Sequence, residues 1–264
     1  MITTSAAIIT DIQGAVATVN LNRPELHNAL DDEVISRLTR ELQVLGQDQV
    51  VRVVILTGAG ASFCAGADVK WMRRMADKDH DGNLEDAKSL AGLMFTLANL
   101  RKPTIAAVNG PAYGGGVGLV AACDIAVAGT NAKFALTEVK LGIIPAAVGP
   151  YVLAAMGTRQ ASRYMITGEK IDAARALEVG LVTEVVENDD VMDRAREFAS
   201  MLLENGPRAM AEVKNLVRYV DGRARDEALM AQTAGHIARI RASNEGREGL
   251  AAFLEKRKPS WHRK

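Results

Sequence analysis

A chain of 264 residues with 48% hydrophobic and 24% charged residues has the make-up of a globular protein with a large core, which excludes intrinsic disorder and fibrous repeats. Its 32 basic residues balance 32 acidic ones, so nothing in the whole-chain charge favours nucleic acid or an anionic membrane surface, and an anionic ligand must be held locally. The chain has no uninterrupted apolar run long enough for a transmembrane helix, its two cysteines Cys64 and Cys123 lack metal-ligand spacing, and the amino-terminal MITTSAAIITDIQG lacks the basic and apolar segments of a secretory signal. A reduced, cytoplasmic protein is expected.

Alternation over residues 15–21 predicts a strand, and Asp31-Asp32 followed by Val34, Leu38, Leu42 and Leu45 predicts a capped amphipathic helix. The β-branched run 51–57 ends in Gly58-Ala59-Gly60, and 104–108 runs likewise into Asn109-Gly110-Pro111, so two buried strands should open into glycine-rich loops. Strands that alternate with helices and stay apolar along their length imply an α/β fold with a sheet covered on both faces. From about residue 189 the pattern is helical, with candidates at 189–203, 207–220, 226–241 and 245–256. The expected organisation is a core over 1–200 and a helical carboxy-terminal region over 201–264.

The stretch Ala112-Tyr113-Gly114-Gly115-Gly116-Val117-Gly118 leads into an apolar helical run. Glycines let backbone approach a ligand, and a helix N-terminus offers unpaired N–H groups to an enolate or thioester oxygen; the plainer alternative is a tight turn against a sheet. Residues Ser62 to Lys70 form a second small-residue loop whose backbone N–H groups can face the same oxygen. Gly58-Ala59-Gly60 is not a dinucleotide fingerprint, because Phe63 stands where the third glycine belongs, and P-loop, hydrolase-elbow and zincin motifs are missing. Glu138 lies in a mostly apolar setting where desolvation would raise its pKa into a range useful for proton transfer, unless it is simply paired with Lys140. His27, His80, His236 and His262 form no triad or metal pattern, so solvated or structural roles are expected, and no metal is called for. The basic segment 253–258 is either a solvated helix end or a phosphate contact.

Taken in order, Leu21-Asn22-Arg23-Pro24 with Asn28-Ala29-Leu30, Ala65-Gly66-Ala67-Asp68, Lys102 to Gly110, the triple glycine, Cys123-Asp124-Ile125, Leu141 to Pro145 and Ala252 to Arg257 resemble the enoyl-CoA hydratase/isomerase (crotonase) family across nearly the whole chain. The resemblance implies a crotonase-like spiral of ββα turns with a helical carboxy-terminal trimerisation region, and a homotrimer or hexamer. It implies that Ala67 and Gly115 supply the two N–H groups of an oxyanion hole and that Glu138 handles protons. Tyr113, Gly114 and Gly118 would line the substrate pocket. Coenzyme A, present as part of the thioester substrate and not as a permanent cofactor, would meet Arg23, Leu26, Ala65, Asp68 and Val69, with Phe253 and Lys256 reaching a neighbouring subunit's ligand.

The family's hydratases commonly carry a second glutamate two residues after the triple glycine, where this chain has Gly118. The missing side chain would open volume for a branched or carboxylated acyl group, and the pattern looks most like bacterial methylglutaconyl-CoA hydratases and their isohexenylglutaconyl relatives. Arg73 and Lys140 are candidate partners for an extra carboxylate. The implied activity is hydration of a 2-enoyl-CoA, with a double-bond isomerase and a non-catalytic acyl-CoA-binding subunit as alternatives.

Overall fold

The computed structural model describes residues 6–262; residues 1–5, the start of the segment read above for a secretory signal, lie outside it. A six-stranded sheet runs in the order β1 (Ile8–Gln13), β2 (Val16–Leu21), β3 (Val53–Gly58), β4 (Thr104–Val108), β6 (Ile125–Gly129) and β9 (Glu184–Val186). β1 pairs antiparallel with β2, and every later neighbour is parallel. β5 (Ala112–Tyr113), β7 (Lys133–Ala135) and β8 (Ile171–Asp172) form a small second sheet. β3 and β4 are buried along their whole length, as central parallel strands covered on both faces must be.

The alternation of side chains divides the core into two. One face of the sheet carries Val54, Leu56, Ala106 and Val108 into the larger cluster, which α1 (Asp32–Gln47) joins through Val34, Leu38, Leu42 and Leu45. Asp31 caps α1, its carboxylate accepting from Val34 N–H at 2.9 Å, as the sequence requires. The opposite face sends Val53, Ile55, Ile105 and Ala107 against Val191, Ala195 and Ala199 of α7 (Val191–Leu203). The helix that starts the carboxy-terminal run is therefore part of the sheet's cover.

Between the strands come α2 (Val69–Ala76), α3 (His80–Ala98), α4 (Gly115–Ala122), α5 (Gly149–Thr167) and α6 (Ala173–Glu178). α8 (Pro207–Val220), α9 (Glu227–Arg241) and α10 (Asn244–Leu254) follow α7. These last three bury little: only Ala211 in α8, only Ala252 in α10 and nothing in α9. Among the described residues, no helix is long and apolar enough to cross a membrane.

Candidate active site

Two loops leave the carboxy-terminal ends of β3 and β4 and are stitched together. The loop after β3 pairs with the chain before α1 through a parallel bridge between Leu30 and Ala67, and with β5 through a bridge between Cys64 and Ala112. Leu30 N–H donates to Gly66 O at 2.7 Å, Asp68 N–H to Leu30 O at 2.8 Å and Tyr113 N–H to Cys64 O at 2.9 Å. The loops approach so closely that a Cβ on Gly66 would stand 2.8 Å from the Tyr113 carbonyl oxygen.

Beneath the bridges, Asn28 is 1% exposed and uses both ends of its amide. Its oxygen accepts from Arg23 N–H at 2.9 Å, while its nitrogen donates to Ala59 O at 2.9 Å and Ser62 O at 2.7 Å. Sequence reasoning found Asn28 only as part of a motif; its clamp joins the turn at residues 23–28 to the loop at 59–62, more than thirty residues on, which no local pattern announces.

α4 begins at the glycine run. Gly114 precedes it with φ 48° and ψ −113°, a conformation closed to residues with a Cβ. No acceptor among the described residues takes the N–H of Ala67 or of Gly115. Both residues border one cavity of about 290 Å3, so two unpaired backbone donors, one at a helix N-terminus, share it.

Glu138 enters the same cavity from a 3-10 turn, Glu138–Leu141, closed by Gly142 in the left-handed region. Its Oε1 lies 3.0 Å from where a Gly114 Cβ would be, and Oε2 is buried without a partner. Burial raises its pKa against a smaller lowering by its own backbone N–H, as desolvation of a lone carboxylate demands. The alternative pairing with Lys140 does not form: the Lys140 stem lies over Gly168, its Cε 2.9 Å from a Cβ position there.

The remaining wall is mostly apolar, with Leu30, Leu90, Met72, Met75, Ile143 and Val148 contributing beside Asn83, Asp86 and Thr137. Gly114 and Tyr113 border it as expected. Gly118 does not, which corrects the expectation of open space beside it. A Cβ on Gly118 would fall 2.3 Å from Val148 Cγ1 and 3.1 Å from Met94 Sδ, so Val148 fills the volume a side chain at 118 would need and presents its own face to the cavity.

The expected coenzyme A contacts separate into two groups. Ala65 borders the cavity, and Leu26 and Val69 are exposed near it in sequence at 40% and 59%. Arg23 and Asp68 have internal duties. The Arg23 guanidinium binds Asp31 at 2.7 Å, Asp68 at 3.4 Å and the Ala29 carbonyl at 3.2 Å, while Asp68 caps α2 by accepting from Lys70 and Trp71 N–H. These contacts tie the loop in place. Phe253 and Lys256 sit at the exposed end of α10, away from their own chain's cavity.

Arg73 and Lys140 do not border the cavity; its charged residues are Glu138 and Asp86, the latter paired with Lys78 at 2.6 Å. His27 Nδ1 is 3.0 Å from Ser62 Oγ, and His236 Nε2 is 2.9 Å from Glu212. Among the described residues, no cluster of three His, Cys, Asp or Glu side chains is placed to hold a metal. Burial pushes the thiols of Cys64 and Cys123 up to about 12, which keeps them inert.

Two unpaired backbone donors and a half-buried carboxylate bordering one largely apolar cavity suit enolate chemistry at a thioester carbonyl. The sequence matches the family Enoyl-CoA hydratase/isomerase over residues 11–264, and the chain belongs to that family of enzymes. It is 36% identical to the 2,3-dehydroadipyl-CoA hydratase of Escherichia coli, covering 96% of this chain and 98% of the relative. It is likewise 36% identical to the short-chain-enoyl-CoA hydratase of Clostridium acetobutylicum, covering 95% of each. The crystal structure of an enoyl-CoA hydratase from Shewanella pealeana superposes with a TM-score of 0.94 at 43% identity, over 97% of this chain and 96% of that one.

Proposed function

We propose that this chain hydrates a 2-enoyl-CoA carrying a neutral, straight or branched acyl group. The observation that carries the reading is that Ala67 and Gly115, with unpaired N–H groups, and Glu138, with an unpaired carboxylate oxygen, border one largely apolar cavity. The thioester carbonyl oxygen accepts from the two N–H groups, and negative charge gathers on it as water adds. Glu138 takes a proton from that water, the oxygen bonds to C3, and the same carboxyl returns a proton to C2. A preorganised backbone donor of this kind typically contributes about 3 kcal/mol.

The mostly apolar wall supports a neutral acyl group. A carboxylated one, as in the name of the Escherichia coli relative, would face Glu138 and Asp86 with no cation among the residues bordering the cavity and would bear the cost of an unpaired buried charge. Coenzyme A enters only as part of the substrate. The apolar faces left open on α8 to α10 support a homotrimer or hexamer in which Phe253 and Lys256 meet a neighbour's coenzyme A, and the two inert thiols suit a reduced, cytoplasmic setting.

A second reading has its own observation. Val148 occupies the place beside Gly118, so no second carboxylate stands at that position, and a single carboxylate suffices to shuttle a proton between C2 and C4 in a double-bond isomerase. A panel of 2-enoyl- and 3-enoyl-CoAs turned over in oxygen-18 water separates the two. Incorporation of the heavy isotope into product establishes hydration; product formed without it rejects hydration in favour of isomerisation.

A further inference from the structure

A second cavity, of about 490 Å3, lies between α1 and α3 beside the first. Trp71 and Asp86 border both spaces. Asp86 is a carboxylate held by Lys78, so Trp71 alone contributes apolar bulk to the partition.

Trp71 is fixed there. It is 4% exposed, and its backbone N–H donates to Asp68 Oδ1 at 3.1 Å. Asp68 is in turn held by Arg23, so the first turn of α2 is tied to the loop that carries Ala67. The indole Nε1 is buried without an acceptor, a cost that a ring free to swing toward water would avoid. Beyond the ring, the second cavity has Ile35 and Phe95 on its apolar side and polar side chains, among them Asp32, Arg40, Thr39 and Ser89, around the rest. It also includes Gly92, where a Cβ would meet nothing within 4 Å.

We propose that Trp71 is the chain-length stop of the acyl cavity, closing it against the neighbouring space and thereby selecting short acyl groups. The inference rests on the reading of the smaller cavity as the acyl site. With the indole present an acyl chain is confined to that cavity; with it removed the two spaces join, and a longer chain runs on between Ile35 and Phe95 toward the polar opening.

The test uses calorimetric binding of saturated acyl-CoAs from four to sixteen carbons, which is independent of turnover. The wild-type chain, Trp71→Ala, Trp71→Phe and the double variant Trp71→Ala/Gly92→Phe are compared, each checked for a cooperative melt. Wild-type affinity is expected to fall at least about tenfold, or about 1.4 kcal/mol, between the best short chain and sixteen carbons. Trp71→Ala recovers that loss, flattening the profile from four to sixteen carbons. Trp71→Phe keeps the wild-type profile, and Gly92→Phe added to Trp71→Ala restores the short-chain limit by refilling the space from its far side. Should Trp71→Ala fail to fold, Trp71→Leu is read in its place. A wild-type profile with no chain-length limit, or an unchanged profile in the alanine or leucine variant, overturns the proposal. Absence of binding by every acyl-CoA to the wild-type chain overturns the acyl-site reading itself, and the proposal with it.

Discussion

Val148 occupies the space that a side chain on Gly118 would need, its Cγ1 standing 2.3 Å from the position of a Cβ there. The glycine is a packing requirement of α4 against the residue preceding α5. Gly118→Glu should therefore not restore a second carboxylate; it should destabilise by about 3 kcal/mol or more, through overpacking and a buried charge. Chemical denaturation checks this, and Val148→Gly added to Gly118→Glu should recover a substantial part of the loss by vacating the space.

The raised pKa of Glu138 has consequences of opposite sign for activity and stability. A base must be ionised, so kcat/KM should fall on the acid side at a pH above the ordinary glutamate value of about 4.3. The folded state holds the proton more tightly than the unfolded chain does. The contribution of Glu138 to stability is therefore full below the ordinary value and is lost as pH rises through the raised one. Glu138→Gln should accordingly melt higher than wild type at neutral pH, the gain vanishing as pH falls toward 4, which thermal melts across that range would reveal.

Asp68 joins two devices in one carboxylate, the cap of α2 and the partner of Arg23. Asp68→Ala should lower stability by about 2 kcal/mol, the sum of a lost cap and a weakened charged hydrogen bond. Because α2 carries Met72 and Met75 to the cavity wall, KM for an enoyl-CoA should rise more than kcat falls. Steady-state kinetics separates this from direct participation in the chemistry, which would lower kcat.

α9 contributes no buried residue, and its Met230 and Ile237 are 65% and 48% exposed one heptad apart. Such a face asks for cover. Light scattering should give a particle of three or six chains, and Met230→Asp with Ile237→Asp should shift the mass toward that of one chain. An unchanged mass would place the contact elsewhere.

Much of this was legible in the sequence because it is local. The cap at Asp31, the apolar stripe of α1, the strands over 53–58 and 104–108, and helices that begin at Pro207 and after Asp226 follow from turn chemistry and periodicity. The backbone pair Ala67 and Gly115 was reachable through family resemblance, and the structure brings both to one cavity with Glu138. What escaped is set by contacts across long separations. Val148 meets Gly118 from thirty residues away, the Asn28 amide ties its own turn to the loop at 59–62, and Trp71 borders two cavities only because α1 and α3 flank it. Arg23 and Asp68 were read only as ligand contacts, and no local pattern announced the ion pair that joins them across forty-five positions.

The central claim is that Glu138, set against two backbone donors, moves the proton. Its most direct test is turnover of a short 2-enoyl-CoA by Glu138→Gln, with binding of the saturated acyl-CoA measured in parallel. The account predicts a fall in kcat of about a hundredfold or more with affinity for the acyl-CoA retained; wild-type turnover in a variant that binds normally would contradict it.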